Sequence, residues 1–376
     1  MDELRKLRDE IDVTDSEIVR LFEKRMRLVE DVAQYKIRTG KKVLDPGREA
    51  DKLEALGKRA STDFNKTGVQ EVFRQMMAIS RTRQYQILLE NGLSSSPEYT
   101  QCDAFDYTGA RVVFQGVEGA YSFAAMKAFF DPSIESTHVA TWREAFEMVV
   151  DGRADYAVLP IENSTAGSVS DIYDLMINYP VSIIGEQVIP IDHVLMSVPG
   201  ADIQQVRKVY SHPQALAQCK KFLEQHPDWQ TEPLLNTAIA AKKVAEDGDP
   251  AQAAIASRTA AEYFGLQILE SEGLSEQHNQ TRFIIISGKN CFRKDAQHIS
   301  ICFELPHKIG TLYNILSHFI FNDLNMTRIE SRPIPERGWE YRFFVDFDGN
   351  LGDSGVQNAL TGIKAETADL RLLGNY

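Results

Sequence analysis

Cysteine is sparse, with four in 376 residues. Cys102, Cys219, Cys291 and Cys302 are scattered with no CxxC pair, which excludes a disulfide framework and the common zinc spacings and fits reduced thiols in a cytoplasm. The eight histidines fall into no HExxH or comparable pattern, so metal catalysis has no foothold, and neither a metal nor another cofactor is expected. Long apolar runs are missing too. None approaches a membrane span, and Met1-Asp2-Glu3-Leu4-Arg5-Lys6 opens the chain with charge and no apolar segment behind it, so a soluble, unexported, cytoplasmic protein is expected. Basic residues are in deficit, 41 Lys and Arg against 54 Asp and Glu, for a net charge of −13. Phosphate backbones are bound through clustered cations, which argues against nucleic acid as a partner. Anionic small molecules remain, provided that basic residues cluster locally.

A content of 43% hydrophobic and 25% charged residues suffices for two or three domains with proper cores. Up to about Gly92 the pattern is helical only. From Arg111 to near Lys289 short apolar strands alternate with helical stretches, as in an α/β domain. After Asn290 the order becomes strand, helix, strand, strand, helix, strand, the βαββαβ of an α+β ferredoxin-like unit. Leu93-Ser94-Ser95-Ser96-Pro97 is a linker signal. The expected organisation is therefore multidomain: an all-α domain over 1–92, a linker over 93–108, an α/β domain over 109–290 and an α+β domain over 296–376.

In the first segment, alternating steps of four and three from Leu4 pass through Arg8, Ile11, Asp15, Ile18, Phe22, Arg25, Val29, Val32 and Lys36, one seam of a long helix. Cations on an apolar seam need anionic partners, because desolvating each costs several kcal/mol. Asp15, acids on another helix, or snorkelling side chains would serve, and so would an anionic ligand. A helix over about Val69 to Glu90 turns Ser80 and Gln84 inward together at i and i+4. Between the helices, Asp45-Pro46-Gly47-Arg48-Glu49 turns the chain, with Glu49 placed either for a ligand or for the helix dipole.

The ordered set Arg8, Arg25, Lys36, Asp45, Arg48, Glu49, Ser80 and Gln84 resembles the active site of the all-helical chorismate mutase family. The resemblance implies that Arg8 and Arg25 hold the substrate carboxylates, that Lys36 and Gln84 hydrogen-bond the ether oxygen of the breaking bond, and that Asp45 and Glu49 face the ring hydroxyl region. A Claisen rearrangement needs no base or nucleophile, only a dianion held in a reactive conformer with positive charge at the ether oxygen. Arg8 and Arg25 stand about 25 Å apart along one helix, at ~1.5 Å per residue. If both serve one site, Arg8 comes from a second subunit, and an intertwined homodimer, or a higher homo-oligomer built on it, is expected.

In the middle segment a strand over Arg111 to Gln115 runs into Gly116-Val117-Glu118-Gly119-Ala120-Tyr121-Ser122 and a helix. Polar residues follow strand ends again at Ile161-Glu162-Asn163-Ser164-Thr165, Ser211-His212-Pro213 and Ser257-Arg258-Thr259, and in open α/β sheets such ends line a ligand cleft. Helix capping by Ser164, Ser211 or Ser257 is the plainer alternative. The glycine-rich turn with Tyr121-Ser122, the Pro160-Ile161-Glu162-Asn163 run, Ser211-His212-Pro213-Gln214 and the Thr-Arg-Phe triplet within Asn279-Gln280-Thr281-Arg282-Phe283 resemble prephenate dehydratase over about 109–290. That family's fold is a pair of α/β lobes like a solute-binding protein, with the site between them, and Thr281 stands at its essential threonine. The implied substrate-binding set is Asn163, Ser164, Thr165, Ser211, His212, Gln218, Arg282 and Phe283. A threonine hydroxyl either needs polarising to assist departure of a ring hydroxyl, by Asn163, Ser211 or His212, or acts chiefly as a hydrogen-bond donor, and Arg282 serves either a substrate carboxylate or a structural salt bridge.

In the last segment Gly310-Thr311-Leu312 and Glu330-Ser331-Arg332-Pro333 resemble the ACT domains of phenylalanine-regulated enzymes, with Thr311 where Ala is usual. The resemblance implies phenylalanine as effector, with chorismate and prephenate as substrates. A structural dimerisation module is the alternative for this segment. For the whole chain, a non-catalytic amino-acid sensor and a dehydratase with a degenerate mutase arm are the competing readings; Thr281 and the polar seam speak against the first, and the complete set from Arg8 to Gln84 against the second.

Overall fold

A computed structural model of the chain describes residues 2–93, 99–131, 133–274, 279–335 and 337–376. Residues 94–97 of the linker signal lie outside the described residues. Two compact units emerge, Met1–Glu98 with Asp295–Leu372, and Tyr99–Lys294 with Leu373–Tyr376. No helix among the described residues is long and apolar enough to cross a membrane.

The chain opens with three helices, α1 (Asp2–Thr39), α2 (Pro46–Gly57) and α3 (Asp63–Glu90). Asp45 caps α2 by accepting from the Arg48 N–H at 3.1 Å, and Pro46 follows at the first helical position, where its missing N–H costs nothing. Thr62 caps α3 in the same way, so this helix starts at Asp63 rather than near Val69. Val29 and Ala33 of α1 are buried, but the seam residues Leu4, Ile11 and Ile18 are all more than half exposed: a single chain leaves the first half of α1 bare.

The second unit begins with β1 (Thr100–Cys102), inside the stretch expected to be linker, then β2 (Arg111–Gln115), α4 (Tyr121–Phe129), β3 (Glu135–Val139) and α5 (Trp142–Val150). β4 (Tyr156–Asn163), β5 (Gly167–Ser168), α6 (Ser170–Asn178) and β6 (Ser182–Pro190) continue the first lobe. A second lobe holds β7 (His193–Ser197), β8 (Lys208–Ser211), α7 (Pro213–Gln218), α8 (Lys220–Leu223), β9 (Gln230–Pro233), α9 (Thr237–Asp247), β10 (Gln252–Ser257), α10 (Arg258–Phe264) and β11 (Gln267–Glu270). Then β12 (Gln280–Ser287) returns to the first lobe, and β13 (Cys291–Arg293) pairs in parallel with β1.

Strands run β6-β12-β4-β2-β3 in the first lobe and β11-β7-β10-β8-β9 in the second. Each lobe has its own apolar core, around Phe114, Phe123 and Ile285 in the first, and Val194, Ala254 and Leu195, Val209, Ile255 on the two faces of the second sheet. The glycine-rich turn after β2 joins the lobes. Gly119 sits at φ +85°, a Cβ there would lie 3.0 Å from the Ala260 Cα, and its carbonyl accepts from the Ser257 hydroxyl at 2.8 Å, so only glycine lets the α10 terminus approach this closely.

The C-terminal segment is β14 (His298–Leu305), α11 (Thr311–Ile320), β15 (Met326–Pro333), β16 (Tyr341–Asp348), α12 (Ser354–Glu366) and β17 (Ala368–Asn375), with strand order β15-β16-β14-β17. This is the ferredoxin-like arrangement of βαββαβ. Ile299, Ile301, Phe319, Val345, Phe347, Val356 and Ile363 fill its core. Gly362 on α12 lets His318 of α11 lie against it, since a Cβ there would fall 2.3 Å from the imidazole Cε1. Both helices meet α3 within the first unit, which buries Ala78, Arg81, Thr82 and Tyr85 as well as the residues facing α1. The last residues go with the second unit, where Gly374 pairs in parallel with Ile183.

Candidate active sites

The helical segment gathers most of the cationic seam. Arg25 donates from Nη1 to the Met76 carbonyl at 3.0 Å and to the Ser80 hydroxyl, and Lys36 Nζ donates to the Val43 carbonyl at 2.7 Å. Among the described residues neither cation has a carboxylate within ion-pair distance. Burial holds both below their ordinary pKa values; the nearby charge of Arg48 lowers Lys36 further, while Glu49 raises both and Asp45 raises Lys36. Half-buried cations that their surroundings do not neutralise form a receptor for an anion. Gln84 donates to the Ser80 carbonyl at 3.1 Å, and its buried Oε1 has no hydrogen-bond partner among the described residues. Arg48 is exposed at the rim.

One member departs from the expected cluster, and another is held within it by a residue outside the set. Arg8 lies exposed in the bare half of α1, remote from the rest. Glu49 accepts from Arg81 Nη1 with both oxygens, at 2.8 and 2.7 Å, and Arg81 in turn donates from Nε to Glu366 at 2.6 Å. Sequence reasoning missed Arg81, which stands beside Ser80 with nothing local to mark it.

In the second unit a cavity of about 550 Å³ lies between the lobes, reached by Asn163, Thr281, Phe283, His193, His212 and Gln218. Thr281 pairs opposite Asn163 across β12 and β4, so their side chains share a face. The register shifts just beyond, between Arg282 and Phe283, a bulge of the kind that re-aims side chains beside a site. Asn163 Oδ1 accepts from the Thr165 N–H, the Thr165 hydroxyl and the Ala166 N–H, at 3.1, 2.8 and 2.9 Å. That fixes the amide the other way round for Thr281: Asn163 Nδ2 donates to the Thr281 Oγ1 at 2.9 Å and to Asn279 Oδ1 at 2.8 Å. A threonine oxygen that accepts from an amide keeps its own proton for donation elsewhere.

Arg282 does not reach this cleft. Alternation along β12 sends it to the opposite face from Thr281, where it meets Glu186 at 3.2 Å and Glu162 at 3.8 Å, so the salt-bridge alternative describes it. Ser211 is fully buried and donates to the Ile255 carbonyl at 2.6 Å, holding β8 to β10 rather than polarising Thr281. Ser164 ties the backbone of Gln280 through its Oγ at 2.9 Å. Of the three serines weighed as helix caps, Ser257 alone caps one, accepting from the Ala260 N–H, whereas His212 caps α7.

A buried relay that the sequence did not reveal backs the cleft. Burial lowers the His193 pKa, so the ring is neutral at pH 7. Its Nε2 meets Gln218 Oε1 at 3.0 Å and its Nδ1 meets the Tyr121 hydroxyl at 2.9 Å. Since an amide oxygen only accepts, Nε2 carries the proton and Nδ1 is left to accept from the Tyr121 hydroxyl.

In the C-terminal segment Gly310, at φ +81°, opens α11, and the Thr311 hydroxyl bonds back to the Lys308 carbonyl at 3.0 Å. Leu312 is half-buried. On the edge strand β15 Glu330 and Arg332 point inward, Glu330 meeting Arg328 at 3.0 Å, while Ser331 and Pro333 are exposed.

Two families match the two regions: Chorismate mutase type II over residues 7–85 and Prephenate dehydratase over residues 112–291. The bifunctional chorismate mutase/prephenate dehydratase of Enterobacter agglomerans is 34% identical over 379 residues, covering 98% of this chain and 95% of that protein. Among solved structures, the prephenate dehydratase of Arthrobacter aurescens in complex with L-Phe has a TM-score of 0.63 at 31% identity, covering 71% of this chain and 89% of that one. GqqA, described as a novel type of quorum quenching acylase, has a TM-score of 0.64 at 30% identity, covering 70% of this chain and 96% of that one. The two regions thus define a two-headed enzyme, a helical mutase joined to an α/β dehydratase. The chain belongs to the family of bifunctional chorismate mutase/prephenate dehydratases.

Proposed function

We propose that this chain rearranges chorismate to prephenate among its N-terminal helices and converts prephenate to phenylpyruvate in the interlobe cleft. What carries the reading is the pairing of Thr281 with Asn163, a cavity-lining hydroxyl whose oxygen accepts from an amide donor and which keeps its own proton for donation. In the dehydratase step the ring C–O and the ring–carboxylate C–C bonds break, carbon dioxide and water leave, and the ring becomes aromatic. Thr281 donates to the departing hydroxyl as it gains charge, with Asn163, Gln218 and His212 lining its surroundings. In the mutase step the ether C–O bond breaks as a C–C bond forms. Arg25 takes a carboxylate, Lys36 and Gln84 face the ether oxygen, Asp45, Arg48, Glu49 and Ser80 surround the ring, and Arg8 arrives from a partner chain in a homodimer.

The βαββαβ segment is read as an ACT domain sensing phenylalanine through the Gly310 to Leu312 loop and the Glu330 to Pro333 strand, a reading supported by the L-Phe complex of the Arthrobacter relative. Effector coupling of this kind is worth roughly 5- to 150-fold in affinity, so partial inhibition is expected. Incubating the protein with chorismate and following prephenate and phenylpyruvate, with and without L-phenylalanine, tests every part. Absence of prephenate defeats the mutase assignment, failure to consume supplied prephenate defeats the dehydratase assignment, and indifference to phenylalanine defeats the sensor.

A further inference from the structure

Arg81 belongs to neither the expected mutase set nor the βαββαβ segment, yet it touches both. Its guanidinium uses all three nitrogens on two carboxylates. Nη1 reaches both oxygens of Glu49, while Nε and Nη2 form a fork on Glu366 at 2.6 and 3.3 Å. Its side chain is 5% exposed and that of Glu366 is 6% exposed, so water does not substitute within that pair, whereas Glu49 is 28% exposed. A planar five-donor fork makes this bridge; an ammonium on a shorter stem cannot.

Glu366 is itself fixed. It ends α12 and lies 3.3 Å from His318 Nε2, whose ring is seated against Gly362. Burial would push the Glu366 carboxyl up, but the His318 contact and the charge of Arg81 outweigh it and hold the group below its ordinary value, ionised at pH 7. Arg81 is therefore held from two sides, by Glu366 at the end of α12 and by Glu49 on α2, and the more deeply buried of the two, Glu366, is the firmer anchor.

We propose that Arg81 is a positioning residue of the mutase site, holding Glu49 toward the substrate ring, and that Glu366 of the C-terminal domain braces it, so that the mutase site is completed by a residue from the end of the chain. The proposal rests on the mutase reading above. It makes the first 92 residues alone an incomplete mutase, and it gives the C-terminal domain a mechanical hold on chorismate binding that does not pass through the dehydratase.

The test is steady-state mutase kinetics on full-length Glu366→Gln, Arg81→Met, Arg81→Lys and the double variant Arg81→Met/Glu366→Gln. Glu49 meets the ring in ground and transition state alike, so its displacement raises KM more than it lowers kcat. Glu366→Gln is expected to raise KM for chorismate roughly 3- to 30-fold, a range typical of directly coupled neighbours, Arg81→Met at least as much, and Arg81→Lys to stay close to Arg81→Met. The double variant is expected to be no worse than Arg81→Met, because Glu366 acts through Arg81. A merely structural staple would instead lower the folded fraction, reducing kcat at unchanged KM. That outcome, an unchanged KM in Glu366→Gln, or losses that add in the double variant, overturns the proposal. Wild-type protein without mutase turnover would overturn the mutase reading itself, a separate result.

Discussion

Replacing Thr281 by valine removes one hydroxyl and almost nothing else. The site is 8% exposed, and valine fills nearly the same volume. Asn163 Nδ2 loses an acceptor but keeps Asn279 Oδ1 at 2.8 Å and the Gln280 carbonyl at 3.2 Å, so no donor is orphaned and the cost to stability stays near ~1 kcal/mol, that of one ordinary hydrogen bond. The barrier is another matter. Removing a preorganised donor aimed at a developing oxyanion costs about 2.7–4 kcal/mol, or roughly 10²- to 10³-fold in kcat, and this loss is expected for phenylpyruvate formation from prephenate. Thr281→Ser, which restores the hydroxyl on a freer rotor, should recover most of it. Mutase turnover in the same preparations, measured by chorismate disappearance, should stay within about twofold, since Thr281 lies in the other unit. A Thr281→Val enzyme that keeps more than about a tenth of wild-type kcat would refute the assignment of Thr281 as donor.

Mixing inactive Arg8→Ala and Arg25→Ala chains should restore part of the mutase activity through mixed dimers holding one intact site; demonstrated mixed dimers without recovery would end the shared-site idea. Arg282→Met should leave KM for prephenate within about twofold and lower the melting temperature by a few degrees, as expected when ~1 kcal/mol of a partly exposed ion pair is lost; a large KM increase would return Arg282 to the substrate. Glu366 has a folded pKa below its unfolded value, so its contribution to stability is full above the ordinary value of 4.5 and is lost as pH falls through the folded pKa. Thermal unfolding scanned downward from about pH 5 should therefore show a shallower acid loss in Glu366→Gln than in wild type, and identical slopes would contradict the ionised, paired carboxylate.

Local patterns carried much of the architecture. The strands Arg111–Gln115 and His298–Leu305 have the bounds that their apolar runs indicate, because both are flanked by turn residues and bury most of their length. The start of α3 was harder to see, since capping by Thr62 outweighs the weak apolar pattern before Val69. At the cleft, Asn163 was legible as a polar residue at a strand end and Thr281 through the resemblance to the dehydratase threonine, and alternation along the same strand explains why Arg282, one residue on, faces the other way. His193 and Gln218 were not visible as a pair because their partnership crosses from β7 to α7 and depends on tertiary distance alone. The seam of α1 was legible as a pattern, but its exposure in a single chain was not, since a helix stripe carries no record of which molecule covers it.

The bond between Arg81 and Glu366 spans 285 residues of chain. At ~5–20 residues per second of synthesis, the helices that carry Arg81 leave the ribosome about 15 to 60 seconds before α12 exists to cover them. Over that interval the side of α3 that α12 will occupy, with Arg81 among its residues, stays open to water and to other chains, while residues 99–294 of the second unit are made in between. The first segment out is thus among the last to be finished, and until α12 is made that waiting surface carries the unpaired half of the Arg81 fork.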